Sequence, residues 1–438
     1  MKIGAIMLKK WFRKLKEALW LTTALISAFS FVLALGVGML DSGQYLYLGD
    51  YIPSILLTSV EPSRTILGVI AGALITMTVF TFTTTMVVVT IYSSQFSPRV
   101  VKNFLMDENT MKTLGVFMGG FIYSIMALVY MRNGIGDNQV IAAMIGIFYI
   151  LFCLIHFLKY INHVSSYIQM NNLIERLSEE AMGKIALYKT FLERGEIKKD
   201  LETLKEYSSR DIKINKHGYI QVIDYDRIVK ICKEQGEYSV VSKIPGTFIT
   251  GSTSVISIYS EKLEKIEKDI DEKLIECFDV GKENAQTQGF IFPIQKISEI
   301  AVRAISPGIN DPNTAIHCLH IMGIILSEVA IIEKGYLFLM EDGKSSGAFE
   351  VVDFEQVLYH SFYQVIHYGK EDLSVMVGLI RALRIIQERV SSNNEEVLKS
   401  FTEYLWQKVE PEGKVHYERK WLEDEKLKLK CGIQNSSK

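Results

Sequence analysis

The feature that most constrains this chain is a set of four long segments without charged residues, all within residues 1–163. They contain 23, 34, 19 and 21 residues. An α-helix rises about 1.5 Å per residue, and the hydrocarbon core of a bilayer is about 30 Å thick. Each segment is therefore long enough to cross a membrane. The sequence predicts a transmembrane domain at 1–163, with helices at about 18–40, 65–98, 113–131 and 138–160.

Positive charge is distributed unevenly around these segments. Residues 1–163 contain 12 Lys and Arg against 7 Asp and Glu, whereas the remainder contains 36 against 43. Six of the basic residues precede the first segment, three lie between the second and third, and one lies in each other connection. Basic loops stay on the cytoplasmic side of a membrane. The alternation therefore predicts that both termini face the cytosol.

The second segment carries seven threonines between positions 76 and 90. Seven residues of an α-helix turn through about 700°, so side chains seven apart point in nearly the same direction. One narrow stripe is then formed by Gly72, Thr76, Phe80, Thr83, Val87, Thr90 and Ser94. Small hydroxyl-bearing side chains interrupted by bulky apolar ones are typical of a wetted pore with a hydrophobic constriction. The stripe is therefore a candidate pore lining.

Helix packing is the competing interpretation of the same threonines. A threonine hydroxyl can bond the backbone carbonyl four residues earlier, and small side chains let two helices approach closely. Thr78, Thr81 and Thr85 fall on the opposite face of the predicted helix, so the hydroxyls do not all face one lumen. The sequence leaves both interpretations open.

Several classes of function are disfavoured by what the sequence lacks. The four segments contain no Asp or Glu, whereas proton- or cation-coupled transporters usually need an intramembrane carboxylate. A net charge of −2 does not suit nucleic-acid binding. No phosphate-binding loop, zinc-protease motif, nucleophile elbow or dinucleotide fingerprint is present, and the five cysteines form no C-x-x-C pair. We therefore expect no enzyme activity, no cofactor and no bound metal.

The remainder of the chain has the composition of a soluble protein. Its patterns predict a helical connector at 164–206, a small β-rich module at 207–260, a helical domain at 261–408 and a loose tail at 409–438. The predicted fold class is an α-helical multi-pass membrane protein with four transmembrane helices. A mixed α+β cytosolic carboxyl-terminal domain, which contains the β-rich module, completes it.

A predicted helix break lies within the carboxyl-terminal domain. Pro307 and Gly308 end one helix, and Asp311 followed by a proline is a good start for the next. One interpretation is a rigid elbow between two helices. The other is a ligand or ion loop formed by Arg303, Ser306, Asn310 and Asp311, since a helix N-terminus is a natural anion site. The carboxylate of Asp311 would itself compete with an anion.

Three blocks of sequence carry a resemblance to a known family. The first is Ser-Ser-Gln-Phe-Ser-Pro-Arg at 93–99, and the second is His-Gly-Tyr-Ile-Gln-Val-Ile-Asp at 217–224. The third, and most specific, contains Ser-Pro-Gly-Ile-Asn-Asp-Pro at 306–312. In this order they resemble the bacterial predicted-membrane-protein family called domain of unknown function 2254 (DUF2254). The resemblance implies a multi-pass protein of the bacterial plasma membrane with a cytosolic carboxyl-terminal domain. It implies no activity.

Two functional hypotheses follow from these patterns. The first is a homo-oligomeric channel in the lipid bilayer, with the second helix lining the path of an ion or small solute and the cytosolic domain forming a vestibule or gate. The second is a non-conducting membrane sensor or scaffold that recruits a cytosolic protein partner. The threonine stripe favours the first hypothesis, and the large soluble part favours the second.

Overall fold

The computed structural model describes residues 20–41, 53, 56–95, 108–131, 139–204, 206–235, 237–260, 269–282, 288–341, 344–409 and 415–435. The chain divides into two compact units, Met1–Asn172 and Leu173–Lys438. The boundary falls later than the predicted residue 163, because the fourth long helix continues to Ile168. The two units are described separately below as the amino-terminal and the carboxyl-terminal unit.

Within the described residues, the amino-terminal unit has four helices that are long and apolar enough to cross a membrane. They are α1 (Trp20–Asp41), α2 (Val60–Gln95), α3 (Glu108–Tyr130) and α4 (Ala142–Ile168). The four predicted helices are thus confirmed, with ends shifted by one to eight residues. Two short strands, β1 (Thr58–Ser59) and β2 (Gln139–Val140), pair antiparallel, so α4 begins after the residue predicted.

Close contact between α1 and α3 organises the amino-terminal unit. A Cβ atom added at Gly119 would lie 2.5 Å from the Oγ of Ser30, and one at Gly115 would lie 3.0 Å from the Cα of Thr23. The Ser30 hydroxyl also shares a hydrogen bond of 2.8 Å with the hydroxyl of Tyr149 on α4. The small residues of α3 therefore let three helices meet closely.

An acidic side chain connects the end of α1 to the start of α4. The carboxylate of Asp41 accepts hydrogen bonds from the backbone N–H groups of Ile141 at 3.0 Å and Ala142 at 3.2 Å. The first N–H groups of a helix have no partner within it, so a carboxylate there satisfies them. Asp41 thus acts as a cap supplied by another helix.

The carboxyl-terminal unit contains two sheets among its described residues. A six-stranded sheet has the order β3-β10-β11-β6-β8-β4, and a three-stranded sheet has the order β7-β5-β9. The strands are β3 (Gly195–Lys198), β4 (Ser208–Lys213), β5 (Gly218–Ile223), β6 (Tyr238–Val241), β7 (Phe248–Ile249), β8 (Ser254–Ser260), β9 (Phe278–Gly281), β10 (Tyr336–Glu341) and β11 (Lys344–Glu350).

The predicted β-rich module at 207–260 was wrong in its bounds. Strand β3 lies inside the predicted helical connector, and β9, β10 and β11 lie inside the predicted helical domain. The hairpin β10–β11 pairs with β3 on one side and, in parallel, with β6 on the other. These pairings join segments that are distant in the chain, so local patterns could not reveal them.

Nine helices of the carboxyl-terminal unit fall within the described residues. They are α5 (Met170–Leu192, which begins at the unit boundary), α6 (Tyr225–Gln235), α7 (Asp269–Ile275), α8 (Ile291–Ala304), α9 (Pro312–Val329), α10 (Phe354–Gly369), α11 (Leu373–Gln387), α12 (Ser392–Val409) and α13 (His416–Asn435). Helices α8 to α11 each bury eight or more residues, which form the main helical core.

The predicted loose tail at 409–438 was also wrong. Residues 416–435 form helix α13, which packs against α11. The side chains of Leu422, Glu425 and Leu429 are buried, although the helix is polar overall. The polar composition hid a narrow apolar face that becomes stable only against a neighbouring helix.

Candidate functional site

The predicted stripe on α2 lies on the open face of the helix. The exposed residues of the amino-terminal unit include Gly72, Thr76, Phe80, Thr83, Val87 and Thr90. Ser94 lies in the last turn of α2, and its side chain falls outside the described residues. The structure therefore brings six predicted residues onto one largely open surface, where the ring of Phe80 lies 5.9 Å from that of Phe157 on α4.

The opposite face of α2 contains threonines that pack inside the unit. Thr81 and Thr85 are buried, and the Tyr160 hydroxyl of α4 donates a hydrogen bond of 2.9 Å to the backbone carbonyl of Thr81. The Thr85 hydroxyl bonds the same carbonyl at 2.8 Å and lies 3.0 Å from the Tyr160 hydroxyl. The packing interpretation therefore holds for these two threonines.

Two hydroxyls of the stripe are satisfied by their own helix. The hydroxyl of Thr76 donates to the carbonyl of Gly72 at 2.8 Å, and that of Thr90 donates to Met86 at 2.9 Å. A hydroxyl that donates inward still has lone pairs that can accept from outside. The stripe can consequently contact either apolar neighbours or water without an unsatisfied donor at these two positions.

The glycines at the start of the stripe have room around them. A Cβ atom added at Gly68 or Gly72 would meet nothing within 4 Å. Gly68 and Gly72 form a Gly-x-x-x-Gly motif, and so do Gly115 and Gly119 on α3, where the space is filled by side chains or backbone of α1 and α4. Because such motifs allow close approach of helices, the open one is available to a helix outside this unit.

The helix break at 305–311 is a closed, self-capped turn. The hydroxyl of Ser306 donates to the backbone carbonyl of Arg303 at 2.6 Å, and the backbone N–H of Asp311 donates to Ala304 at 2.8 Å. Asn310 adopts a left-handed conformation with φ of 50°. Arg303 and Asn310 have exposed side chains. These contacts favour the elbow interpretation over the ligand loop.

Asp311 caps α9, as predicted. Its carboxylate accepts from the Thr314 hydroxyl at 2.6 Å and from the Thr314 backbone N–H at 3.1 Å. These two hydrogen bonds hold the pKa of Asp311 below its ordinary value of 3.8. The capping therefore uses the ionised carboxylate.

Replacement of Asp311 by alanine is expected to destabilise the first turn of α9 by about 1 kcal/mol, the usual loss for an N-cap. The pKa of Asp311 is lower in the folded protein than its ordinary value. This stabilisation is therefore present above pH 3.8 and disappears as the pH falls through the lowered pKa. Hydrogen exchange of the α9 amides at pH 7 and at successively lower pH values checks this. Asn313→Ala serves as the control, and equal exchange in both variants at pH 7 would exclude the capping role.

No metal centre is present among the described residues, where no group of three or more His, Cys, Asp and Glu side chains is placed to hold an ion. His320 is half-buried, and its pKa is lowered by burial and by Arg381 and His317. His320 is therefore neutral near pH 7. Among the described residues, His317, His320 and Asp311 do not form a group that could hold a metal ion.

Comparison with known proteins identifies the family. The model of the family described as predicted membrane protein (DUF2254) matches residues 16–385. The chain belongs to this family. Uncharacterized proteins of Mycobacterium tuberculosis and Mycobacterium bovis are 23% identical to it over 391 residues, which cover 85% of this chain and 72% of theirs. No solved structure matches the chain significantly.

Two surfaces of this DUF2254 protein were missed by sequence reasoning. On α10, the rings of Tyr359 and Tyr363 stack at 5.2 Å, and His367 continues the row at 6.1 Å from Tyr363. His360 and His367 are exposed. Tyrosines four apart were the available signal. The second is the surface on which helix α13 packs, around the buried Glu425, and the prediction of a loose tail did not include it.

Proposed function

We propose that this DUF2254 protein is a homo-oligomeric channel of the bacterial plasma membrane, with both termini in the cytosol. The open stripe on α2 would line the path of an ion or small solute. The carboxyl-terminal unit would form a cytosolic vestibule or gate. The observation that carries the proposal is the exposure of all six described stripe residues, together with the free space at Gly68 and Gly72.

The dimensions of α2 suit this role. It has 36 residues, so its length is about 54 Å, well beyond the hydrocarbon core of about 30 Å. Several copies arranged around a symmetry axis could bring their α2 stripes together, since most homo-oligomers have closed symmetry. A path would then be enclosed by copies of one helix, with no additional chain.

The chemistry of the stripe supports a passage controlled by wetting. Thr76, Thr83 and Thr90 supply polar rings, and Phe80 and Val87 lie between them as apolar rings. A hydrophobic constriction can gate by losing its water. No stripe residue is charged, so selection by a ring of fixed charge is not part of the proposal.

The test measures solute and ion flux through liposomes that contain the purified full chain. Phe80→Ala is expected to raise flux and Thr83→Leu to lower it, each by about tenfold, which corresponds to a barrier change of about 1.4 kcal/mol. Phe82→Ala is the matched control, because Phe82 is 54% exposed, similar to Phe80 at 49%, but lies about 160° away around the helix. No flux, or equal flux in all variants, would refute the pore assignment.

A non-conducting sensor or scaffold is the second candidate. It is supported by the exposed aromatic row on α10, because tyrosines are enriched among the residues that dominate protein interfaces. Tyr359 also lies 6.1 Å from the ring of Tyr404 on α12, which widens the surface. A defined protein partner that is lost with Tyr363→Ala, combined with absent flux, would favour this candidate over the channel.

A further inference from the structure

Helix α13 contacts the rest of the carboxyl-terminal unit through a narrow face. Leu422, Glu425 and Leu429 are at most 3% exposed and occupy positions i, i+3 and i+7 of the helix. On the outer side, Tyr417 is 84% and Leu427 60% exposed. The buried face of α13 therefore consists, among its described residues, of two leucines around one carboxylate.

The carboxylate is received by a pair of arginines on α11. The Arg381 guanidinium lies 3.2 Å from one oxygen of Glu425, and the Arg384 guanidinium lies 3.6 Å from the other. Lys428 of α13 itself adds a contact of 3.1 Å. Burial acts to raise the pKa of Glu425, but the hydrogen bonds from Lys428 and Arg381 outweigh it and keep the pKa below its ordinary value. The site is thus built for an ionised carboxylate.

A cleft beside this ion cluster contains a polar group that α13 does not satisfy. Gln387 of α11 and Leu429 of α13 line the cleft together with Leu398 and Thr402 of α12. Gln387 is only 6% exposed, and neither atom of its side-chain amide has a hydrogen-bond partner among the described residues. The groove on α11 therefore offers a buried donor and acceptor in addition to the arginine pair.

We propose that this groove, defined by Arg381, Arg384 and Gln387, is an exchangeable binding site for an amphipathic helix that presents a carboxylate on its apolar face, and that the helix it exchanges is α13 of a second copy. Charge complementarity selects a carboxylate between two leucines, in the pattern Leu-x-x-Glu-x-x-x-Leu at 422–429. Every copy presents this pattern. Exchange of identical helices keeps each contact of the groove, so it connects two copies at little energetic cost. This proposal does not depend on the proposed channel function.

The experiment uses two full-length versions of the protein with reversed charges. The helix variant carries Glu425→Arg, and the groove variant carries Arg381→Glu with Arg384→Glu. In either version alone, like charges meet at the groove, so hydrogen exchange of the α13 amides should be at least about tenfold faster than in the wild type. In an equimolar mixture, each α13 matches only the groove of the other version.

If α13 is exchanged between copies, the α13 amides of the mixture should regain slow hydrogen exchange. Differently tagged helix and groove variants should also co-purify with each other more strongly than either does with itself. A chain carrying all three substitutions is the control. It should protect its own α13 and lose this preference. The proposal is overturned if hydrogen exchange in the mixture equals the sum of hydrogen exchange in its two components. It is also overturned if the α13 amides of the triple variant stay unprotected.

A second measurement is independent of the folding of these variants. A fluorescent peptide of residues 416–435 is added to the wild-type full chain, with the Glu425→Arg peptide as its control. Saturable binding of the first peptide, weakened at least tenfold in the second, supports exchange. No binding of the first peptide after prolonged incubation, or equal binding of both, contradicts it.

Discussion

The Phe362→Ala variant is expected to lose about 3–5 kcal/mol of the stability of the carboxyl-terminal unit, because it removes a large fully buried ring. Phe362 is 0% exposed on α10, and its ring lies 6.2 Å from that of Phe401 on α12. The cavity left by alanine would lie between helices that cannot collapse onto it, since the neighbouring side chains are held by the same core. Native-state hydrogen exchange of helices α9 to α12 measures the loss.

Tyr363→Ala is the matched control for this prediction. Tyr363 follows Phe362 in the chain but is 39% exposed, and its ring stacks on Tyr359 at the surface. Loss of an exposed aromatic pair should cost no more than about 1 kcal/mol. A destabilisation of similar size in both variants would mean that the buried and exposed faces of α10 are not as described.

The Gly119→Leu variant is expected to disrupt the amino-terminal unit, whereas Gly72→Leu is expected to leave it folded. At Gly119 even a Cβ atom would meet the Ser30 and Tyr149 hydroxyl oxygens at 2.5 and 2.8 Å. Overpacking typically costs about 1–3 kcal/mol, and a leucine between three closely packed helices should reach or exceed about 3 kcal/mol. At Gly72, the added side chain enters open space.

The fraction of each variant recovered as monodisperse protein in detergent, and its resistance to unfolding by SDS, measure this difference. If α2 stripes meet in an oligomer, Gly72→Leu should additionally reduce assembly and flux while the single chain stays folded. Equal loss of folded protein in both variants would contradict the assignment of Gly72 to an open face. Normal recovery of Gly119→Leu would contradict the close contact of α1 and α3.

The four long apolar helices were predictable because an uncharged run long enough to cross a bilayer is a local property of the sequence. Their ends were less so. Helix α2 begins at Val60 and includes Glu61 and Arg64, two charged residues that lie outside the uncharged run. The capping of α9 by Asp311 was also predictable, since the cap and the Thr314 groups that it bonds are three residues apart.

The sheet and helix α13 were not predictable by the same means. Strand β10 pairs with β3, so Leu337 faces Ile197 across a large separation in the chain. Strand propensity alone does not select a partner at such a distance. Helix α13 is held in place by the contacts of Glu425 with Arg381 and Arg384. No local pattern near residue 425 predicts these contacts.

For the candidate site, the sequence by itself determined which side chains share a stripe, because helical periodicity depends only on spacing along α2. Only the tertiary structure decided which face of α2 is covered. Thr81 and Thr85 turn inward because Tyr160 of α4 bonds them, and Thr76, Thr83 and Thr90 are left facing outward. The two faces carry similar residues, so packing of neighbouring helices, and not composition, distinguishes them.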